Sequence, residues 1–266
     1  MCRLIETLSH AACSVLMEPA PVGKVERTRS CCSAWRTGAI NSVGGIRPPE
    51  RPARPERPVL QSAQNMPRRR HKGQAGRFAF VHAIAHIEFN AIDLAWDIVS
   101  RFTAEEMPKA FYDDWVQVAL DEAEHFQLLQ TRLSGLGGAY GDLPAHDGLW
   151  EAASSTADDL LARLAYVPMM LEARGLDTTP RAVEKLRQAG DKETADILEH
   201  IAHEEIPHVQ AGVRWFEYLC DQRDIEPVST FHELVSTRFK AAPKPPFNEI
   251  ARSKAGMAAS YYQPFS

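Results

Sequence analysis

Four stretches of this 266-residue sequence have helical periodicity, and each carries a glutamate at mid-length on its apolar side. The four stretches run roughly over residues 77–102, 108–133, 149–174 and 192–220. At alternating spacings of three and four residues, the last stretch reads Leu198, Ile201, Glu205, His208, Gly212, Trp215, Leu219. The other three stretches present Glu88, Glu122 and Glu172 in the same way. Because no period-two alternation competes in residues 77–220, we expect an all-α body.

The four glutamates belong to a repeat. Glu122 with His125 and Glu205 with His208 are the two Glu-x-x-His matches in the chain, and each pair lies about one turn apart on one helix face. Glu88 precedes Glu122 by 34 residues, and Glu172 precedes Glu205 by 33. The sequence therefore predicts a body of two helix pairs, each of which supplies a glutamate followed by a Glu-x-x-His pair.

Carboxylates on apolar stripes need a partner. Any one of these glutamates alone would be taken for an exposed residue, but burying an unpaired carboxylate costs several kcal/mol, and cations remove that cost. The pattern therefore predicts a carboxylate-bridged two-metal site with six ligands: Glu88, Glu122, His125, Glu172, Glu205 and His208. Four carboxylates and two imidazoles suit two Fe ions, or an Fe/Mn pair, better than structural zinc.

Two prolines stand beside these ligands. Pro168 lies one turn before Glu172, and Pro207 lies between Glu205 and His208. Each is expected either to open room at the metals through a kink or bulge, or to be a tolerated bend. Four further histidines do not share the ligand stripes and are expected at the surface or in supporting positions: His82, His86, His200 and His203.

The remaining sequence divides into a basic N-terminal arm (residues 1–76), the four-helix body (77–220) and a C-terminal extension (221–266). Residues 1–77 hold 14 Lys/Arg against 5 Asp/Glu, which leaves 16 against 30 for the rest. Two short helices are expected near residues 4–17 and 22–37, followed by a Pro/Arg-rich extended strap over 44–67. A shorter helix over residues 180–189 is expected before the last long one.

The cluster from Arg68 to Lys72 is read first as a solvated run, or as one that lies along the acidic body, and second as a nucleic-acid contact. Five cysteines without a CxxC spacing indicate a reducing compartment. No signal peptide or transmembrane span is recognised, so a cytoplasmic location without a membrane partner is expected.

The chain resembles the ferritin-like di-iron superfamily, with all six ligand positions filled. It further resembles an uncharacterised bacterial family within it, domain of unknown function 455, most densely over residues 67–220. The stretches that carry this resemblance are HAIAHIEFNAIDLAWD, FYDDWVQVALDEAEHFQLL, YGDLPAHDGLWE, LEARGLD and AAPKPPFN. The superfamily implies an antiparallel four-helix bundle and gives no substrate.

The leading functional hypothesis is an oxidoreductase that activates O2 at a di-metal centre for hydroxylation or a related oxidation. Its partners would be O2, an electron donor and a small-molecule or RNA substrate. A tRNA hydroxylase-like activity is the alternative that the basic arm raises, although nucleic acid is the less favoured substrate. Iron storage or detoxification is a second class, and a bundle that acts only as an interaction module is a third.

Overall fold

The structure is a computed structural model that describes residues 6–62, 65–66, 73–239 and 241–265. These residues form α-helices, one π-helix and short 3₁₀ turns, and none of them belongs to a strand. An isolated bridge joins Leu60 to Ala145. The all-α prediction is therefore confirmed for the described residues. They group into two compact units, Met1–Ser154 and Ser155–Ser266.

The first unit contains the following helices: α1 (Leu8–Leu16), α2 (Pro21–Arg36), α3 (Gly73–Arg101), α4 (Lys109–Gly135) and α5 (Gly148–Ser155), which ends at the unit boundary. The second unit contains α6 (Leu160–Tyr166), a π-helix (Val167–Glu172), α7 (Ala173–Gln188), α8 (Lys192–Gln222), α9 (Pro227–Thr237) and α10 (Glu249–Lys254). Two 3₁₀ turns, Ala259–Tyr261 and Gln263–Phe265, follow.

Helices α3 and α4 pack against each other and form the core of the first unit. Every residue on the apolar stripe of α4 is buried, namely Phe111, Trp115, Val118, Glu122, His125, Leu129 and Leu133. By length and composition α3 could cross a membrane, but 72% of its most apolar window is buried inside the protein. Within the described residues α3 is therefore a core helix.

The N-terminal arm packs on this core. Both predicted short helices are confirmed, with α1 against α3 and α2 against α4. The indole of Trp35 in α2 donates to Asp113 of α4 over 2.8 Å. The strap carries no helix or strand over residues 44–62, as predicted, while 63, 64 and 67 of the predicted stretch lie outside the described residues. The amide of Ala53 in the strap donates to the carbonyl of Leu16 over 2.7 Å. The basic cluster at 68–72 lies outside the described residues.

The predicted third helix, over 149–174, is interrupted. Residues 156–159 leave the helix between α5 and α6, and Asp159 caps the start of α6 by accepting the amide of Leu161 over 2.9 Å. Serine, threonine and aspartate crowd positions 154–159 and hydrogen-bond to nearby backbone outside helices, which explains the break.

The helix that begins at α6 does not end at Gly175, as the sequence predicted, but runs through Gly175 and Pro180 to Gln188. The prediction of a separate helix over residues 180–189 was therefore wrong. Pro180 cannot donate to the carbonyl of Leu176, four residues earlier. The side-chain amide of Asn248 donates to that carbonyl instead, over 3.1 Å. A contact from the C-terminal segment thus lets α7 continue through a proline.

The C-terminal extension is fastened to the second unit by buried polar groups. Arg252 of α10 donates to both carboxylate oxygens of Asp177 in α7, over 2.9 and 2.7 Å, and both side chains are almost fully buried. Tyr261 donates to Glu217 of α8 over 2.8 Å. The Pro-rich start of the segment is non-helical, as predicted.

Candidate metal centre

Three predicted ligands meet in the first unit. Glu88 comes from α3, and Glu122 and His125 come from α4, one turn apart. Nδ1 of His125 lies 3.3 Å from Oε2 of Glu88 and 3.6 Å from Oε2 of Glu122. All three side chains are buried, and one ligand atom from each lies within 4.8 Å of the others. The structure thus brings together half of the predicted ligand set.

These separations can be compared with the span of a metal ion. Two ligand atoms that each lie about 2.1 Å from one ion can be at most about 4.2 Å apart. The two His125 distances are below that limit. Oxygen, oxygen and imidazole nitrogen are also the donor types that iron and manganese accept. The donor types therefore fit a metal ion, and the spacing of His125 to each of the two glutamates fits as well.

The two carboxylates of this cluster favour a positive charge beside them. Burial by itself would lower the pKa of His125, but the hydrogen bonds and negative charges of Glu122 and Glu88 outweigh burial and raise that pKa to about 11. Without a metal, a protonated His125 balances part of the carboxylate charge. Metal ligation needs the neutral imidazole, so binding a cation would release this proton.

The second unit holds the other three predicted ligands. In α8, Nδ1 of His208 lies 3.6 Å from Oε2 of Glu205, one turn away on the same face. His208 is buried, and Glu205 is half-buried with its Oε2 shielded from solvent. Glu172 is the last residue of the π-helix and is also half-buried with a shielded Oε2. The Glu-x-x-His pair of α8 therefore has the same one-turn spacing as the Glu-x-x-His pair of α4.

The π-helix bears on the predictions for the two prolines. It begins next to Pro168 and ends at Glu172, so a bulge does occur beside a ligand there. Pro207 lies inside α8, which continues as an α-helix around it. A proline removes one backbone donor, and a π turn, which pairs residues five apart, changes the hydrogen-bond pattern at that point. Of the two alternatives predicted for these prolines, a bulge beside a ligand agrees with Pro168, and a proline tolerated within the helix agrees with Pro207.

Two of the four further histidines considered with the ligand stripes, His82 and His86, are buried in the first unit. Nε2 of His82 accepts the amide of Gly141 over 2.9 Å. Nδ1 of His86 lies 2.8 Å from the Tyr140 hydroxyl, and burial lowers the pKa of His86 to about 4. They hold the loop after α4 against α3, which is a supporting role. His200 and His203 of α8 are exposed.

A set of charged residues near Glu88 did not follow from the ligand pattern. Asp93 of α3 is completely buried and pairs with Lys24 of α2 and, over 2.9 Å, with Arg54 of the strap. The signal was present in the sequence, because Asp93 and Asp97 interrupt the apolar run of α3. The two partners of Asp93 lie more than 35 residues away in sequence, so only packing reveals these pairs, whereas Asp97 pairs with Arg101 one turn along α3.

Comparison with known proteins places the chain in a family. Residues 17–263 match the family described as "Protein of unknown function (DUF455)". An "Uncharacterized protein" of Haemophilus influenzae is 43% identical over 207 residues, which cover 76% of this chain and 72% of that protein. No solved structure matches the chain. With nearly its whole length covered by the match, the chain belongs to the DUF455 family.

Proposed function

We propose that this protein is a ferritin-like di-metal oxidoreductase that activates O2 to hydroxylate or otherwise oxidise its substrate. The observation that carries the proposal is the buried cluster of Glu88, Glu122 and His125, in which two helices direct three metal-binding side chains to one point. The recurrence of Glu-x-x-His in α8 supports a second set of the same kind.

The six residues would bind a pair of ions, either two Fe or Fe with Mn. Four carboxylates and two imidazoles provide oxygen-rich ligation with about −4 formal charge, which two divalent cations would neutralise. Reduced iron supplies electrons to O2 when it is bound in such a site. This ligand set, rather than a structural match, supports a four-helix bundle of the ferritin-like kind.

The protein's own residues would hold the ions in place and keep water out. Glu88, Glu122 and His125 lie on long, well-packed helices, which fixes the direction of their side chains. The ring of Phe89, next to Glu88, packs 5.2 Å from that of Phe126, next to His125. These aromatic neighbours would limit access of bulk water to the ions and to a bound substrate.

The substrate candidates are a small molecule and RNA. A tRNA hydroxylase-like activity would use the basic arm, but part of its charge is already engaged: Lys24 and Arg54 bind Asp93, and Arg51 contacts Asp147. We therefore favour a small molecule. The described cysteines Cys13, Cys31, Cys32 and Cys220 are free thiols, which supports a cytoplasmic location.

Metal analysis tests the proposal directly. Wild-type protein reconstituted anaerobically with Fe²⁺ and desalted should retain about two Fe per chain and should consume O2 on exposure to air. Glu122→Gln should lose most of this metal, because an amide replaces a buried carboxylate ligand. Glu124→Gln is the matched control, since Glu124 is an exposed residue of the same helix turn.

Three outcomes separate the candidates. Wild-type protein that retains only traces of both Fe and Mn would exclude a di-metal enzyme. Elution as a very large hollow assembly in size-exclusion chromatography would favour iron storage over oxidation of a substrate. Salt-sensitive RNA binding that is lost when Arg68, Arg69 and Arg70 are replaced would favour the RNA-modifying alternative.

A further inference from the structure

Gly212 of α8 lies where a side chain could not fit. A Cβ built at Gly212 would come within 2.6 Å of Cγ of Pro168 and closer still to its Cβ, whereas real Cβ contacts essentially never fall below 3.0 Å. Glycine in the middle of a helix is unfavourable relative to alanine, so its presence in α8 calls for a local reason. The ring of Pro168, seated on the bare backbone of Gly212, is that reason.

Pro168 is part of the backbone turn that presents Glu172. It is the second residue of the π-helix that Glu172 ends. Its carbonyl accepts the amide of Ala173, the residue immediately after Glu172, and thus closes the π turn around the glutamate. A displacement of Pro168 would therefore move the backbone that carries Glu172.

Gly212 lies on the same face of α8 as the ligands, four residues after His208 and seven after Glu205. A three-residue connection joins α7 to α8, and Arg187 near that connection reaches Glu199 across it over 2.6 Å. These features are those of an antiparallel helical hairpin. Because the two helices are antiparallel and Pro168 contacts Gly212, the residue four positions after Pro168 lies level with the residue four positions before Gly212. These two residues are Glu172 and His208.

We propose that Gly212 and Pro168 are positioning residues: their close contact sets the register of the π-helix on α8 and thereby aims Glu172 at the metal pair. The inference rests on the proposed function, because it assigns these two residues a role toward the same ligands. It also explains why the π-helix stays beside a ligand, since relaxing it would shift Pro168 off Gly212.

The test compares two identical substitutions in one hairpin. Gly212→Ala adds a methyl group against Pro168, whereas Gly175→Ala adds one where nothing lies within 4 Å. Co²⁺ is titrated into the metal-free full-length protein, and its visible absorption reports affinity and coordination. Gly212→Ala should bind Co²⁺ about 10- to 100-fold more weakly with an altered spectrum, the usual effect of disturbing a residue that orients a ligand. Gly175→Ala should match the wild type.

A swap of the two partners provides the rescue. In Pro168→Gly/Gly212→Ala the methyl group at 212 faces a glycine, so the close approach is restored with the partners exchanged. This double variant should recover most of the affinity and the wild-type spectrum. A general loss of helix stability at position 212 would not be repaired by adding a second glycine to the chain.

The outcomes are distinguishable. If Gly212→Ala folds and binds Co²⁺ as Gly175→Ala does, the positioning role is wrong while the proposed function stands. If Gly212→Ala fails to fold, the swap decides: wild-type Co²⁺ binding supports the inference, and weak binding or failure to fold overturns it. Wild-type protein that binds no Co²⁺ would overturn both the proposed function and this inference.

Discussion

The ammonium group of Lys24 and the carboxylate of Asp93 are both completely buried, and their ion pair fastens α2 to α3 five residues from Glu88. Arg54 of the strap binds the other carboxylate oxygen over 2.9 Å and is partly exposed. Both cations also lie over the ring of Phe89, within 5.2 and 5.6 Å of its centre. The basic arm is thus built into the core of the first unit through one acidic residue.

Removing one member of this pair should be costly. Lys24→Met leaves a buried carboxylate with one partner fewer, and we expect a loss of about 3–5 kcal/mol in the free energy of unfolding measured with urea. The double variant Lys24→Met/Asp93→Leu should recover part of that loss, because no charge is left buried. Arg27→Met, which breaks an exposed pair with Glu18, should cost less than about 1 kcal/mol. An equal loss for Lys24→Met and Arg27→Met would contradict the structural role of the buried pair.

Metal should stabilise the folded protein. Fe²⁺ at about 100 times its dissociation constant would add about 2.7 kcal/mol if it binds the folded state alone. We therefore expect an anaerobic thermal melt to shift upward with Fe²⁺ and to return when a chelator is added. Glu122→Gln should abolish the shift and Glu124→Gln should keep it. A wild-type melting temperature that does not respond to Fe²⁺, Mn²⁺ or chelator would argue against metal at this cluster.

Glu226 should make the stability of α9 depend on pH. Its carboxylate accepts the backbone amide of Ser229 over 2.6 Å and that of Val228 over 3.1 Å at the start of the helix. The hydrogen bond from Ser229 is the largest cause that lowers the pKa of Glu226 below 4.5. A lowered folded-state pKa means that this stabilisation is complete above the unfolded-state pKa and is lost as pH falls through the folded-state value.

The measurement for Glu226 is a pair of melting curves. Glu226→Gln should melt below the wild type at pH 7, and the gap should narrow as pH falls below 4.5 because protonation makes the two side chains alike. Glu233→Gln, an exposed change in the interior of the same helix, should show no such convergence. A gap for Glu226→Gln that stays constant from pH 7 to pH 3 would show that the cap carries no pH dependence.

Asn248 and Pro180 should be energetically coupled. Asn248→Ser keeps a capping oxygen for α10 but loses the amide that donates to Leu176, and we expect it to cost about 1–3 kcal/mol. In Pro180→Ala the helix supplies its own donor to Leu176, so the same serine substitution should cost less. Unfolding free energies of the four proteins in this cycle give the coupling, which should be at least about 0.5 kcal/mol. Strict additivity would rule out the compensation.

The candidate ligand positions and the helical class could both be proposed from the sequence, because both depend on local periodicity. A buried glutamate or histidine at mid-helix stands out against apolar neighbours, so Glu88, Glu122 and His125 could be selected before any contact was known. The same stripes correctly predicted the buried face of α4.

Whether a helix continues past an unfavourable residue could not be predicted from local periodicity. Gly175 and Pro180 are locally unfavourable in a helix, and the sequence accordingly placed an end there. The helix continues because Asn248, far along the chain, donates to the carbonyl that Pro180 leaves without a backbone donor. Such compensation depends on a long-range contact that local propensity does not encode.

By itself, then, the sequence determined which residue types lie on the apolar faces and that two Glu-x-x-His pairs occur, one in each of the two predicted helix pairs. Tertiary structure decided that Glu88, Glu122 and His125 meet within a few ångströms, that Lys24 neutralises Asp93, and that Pro168 rests on Gly212. The division has a physical cause. Periodicity is a property of a single helix, whereas distances between helices depend on how side chains of many sizes fill one shared volume.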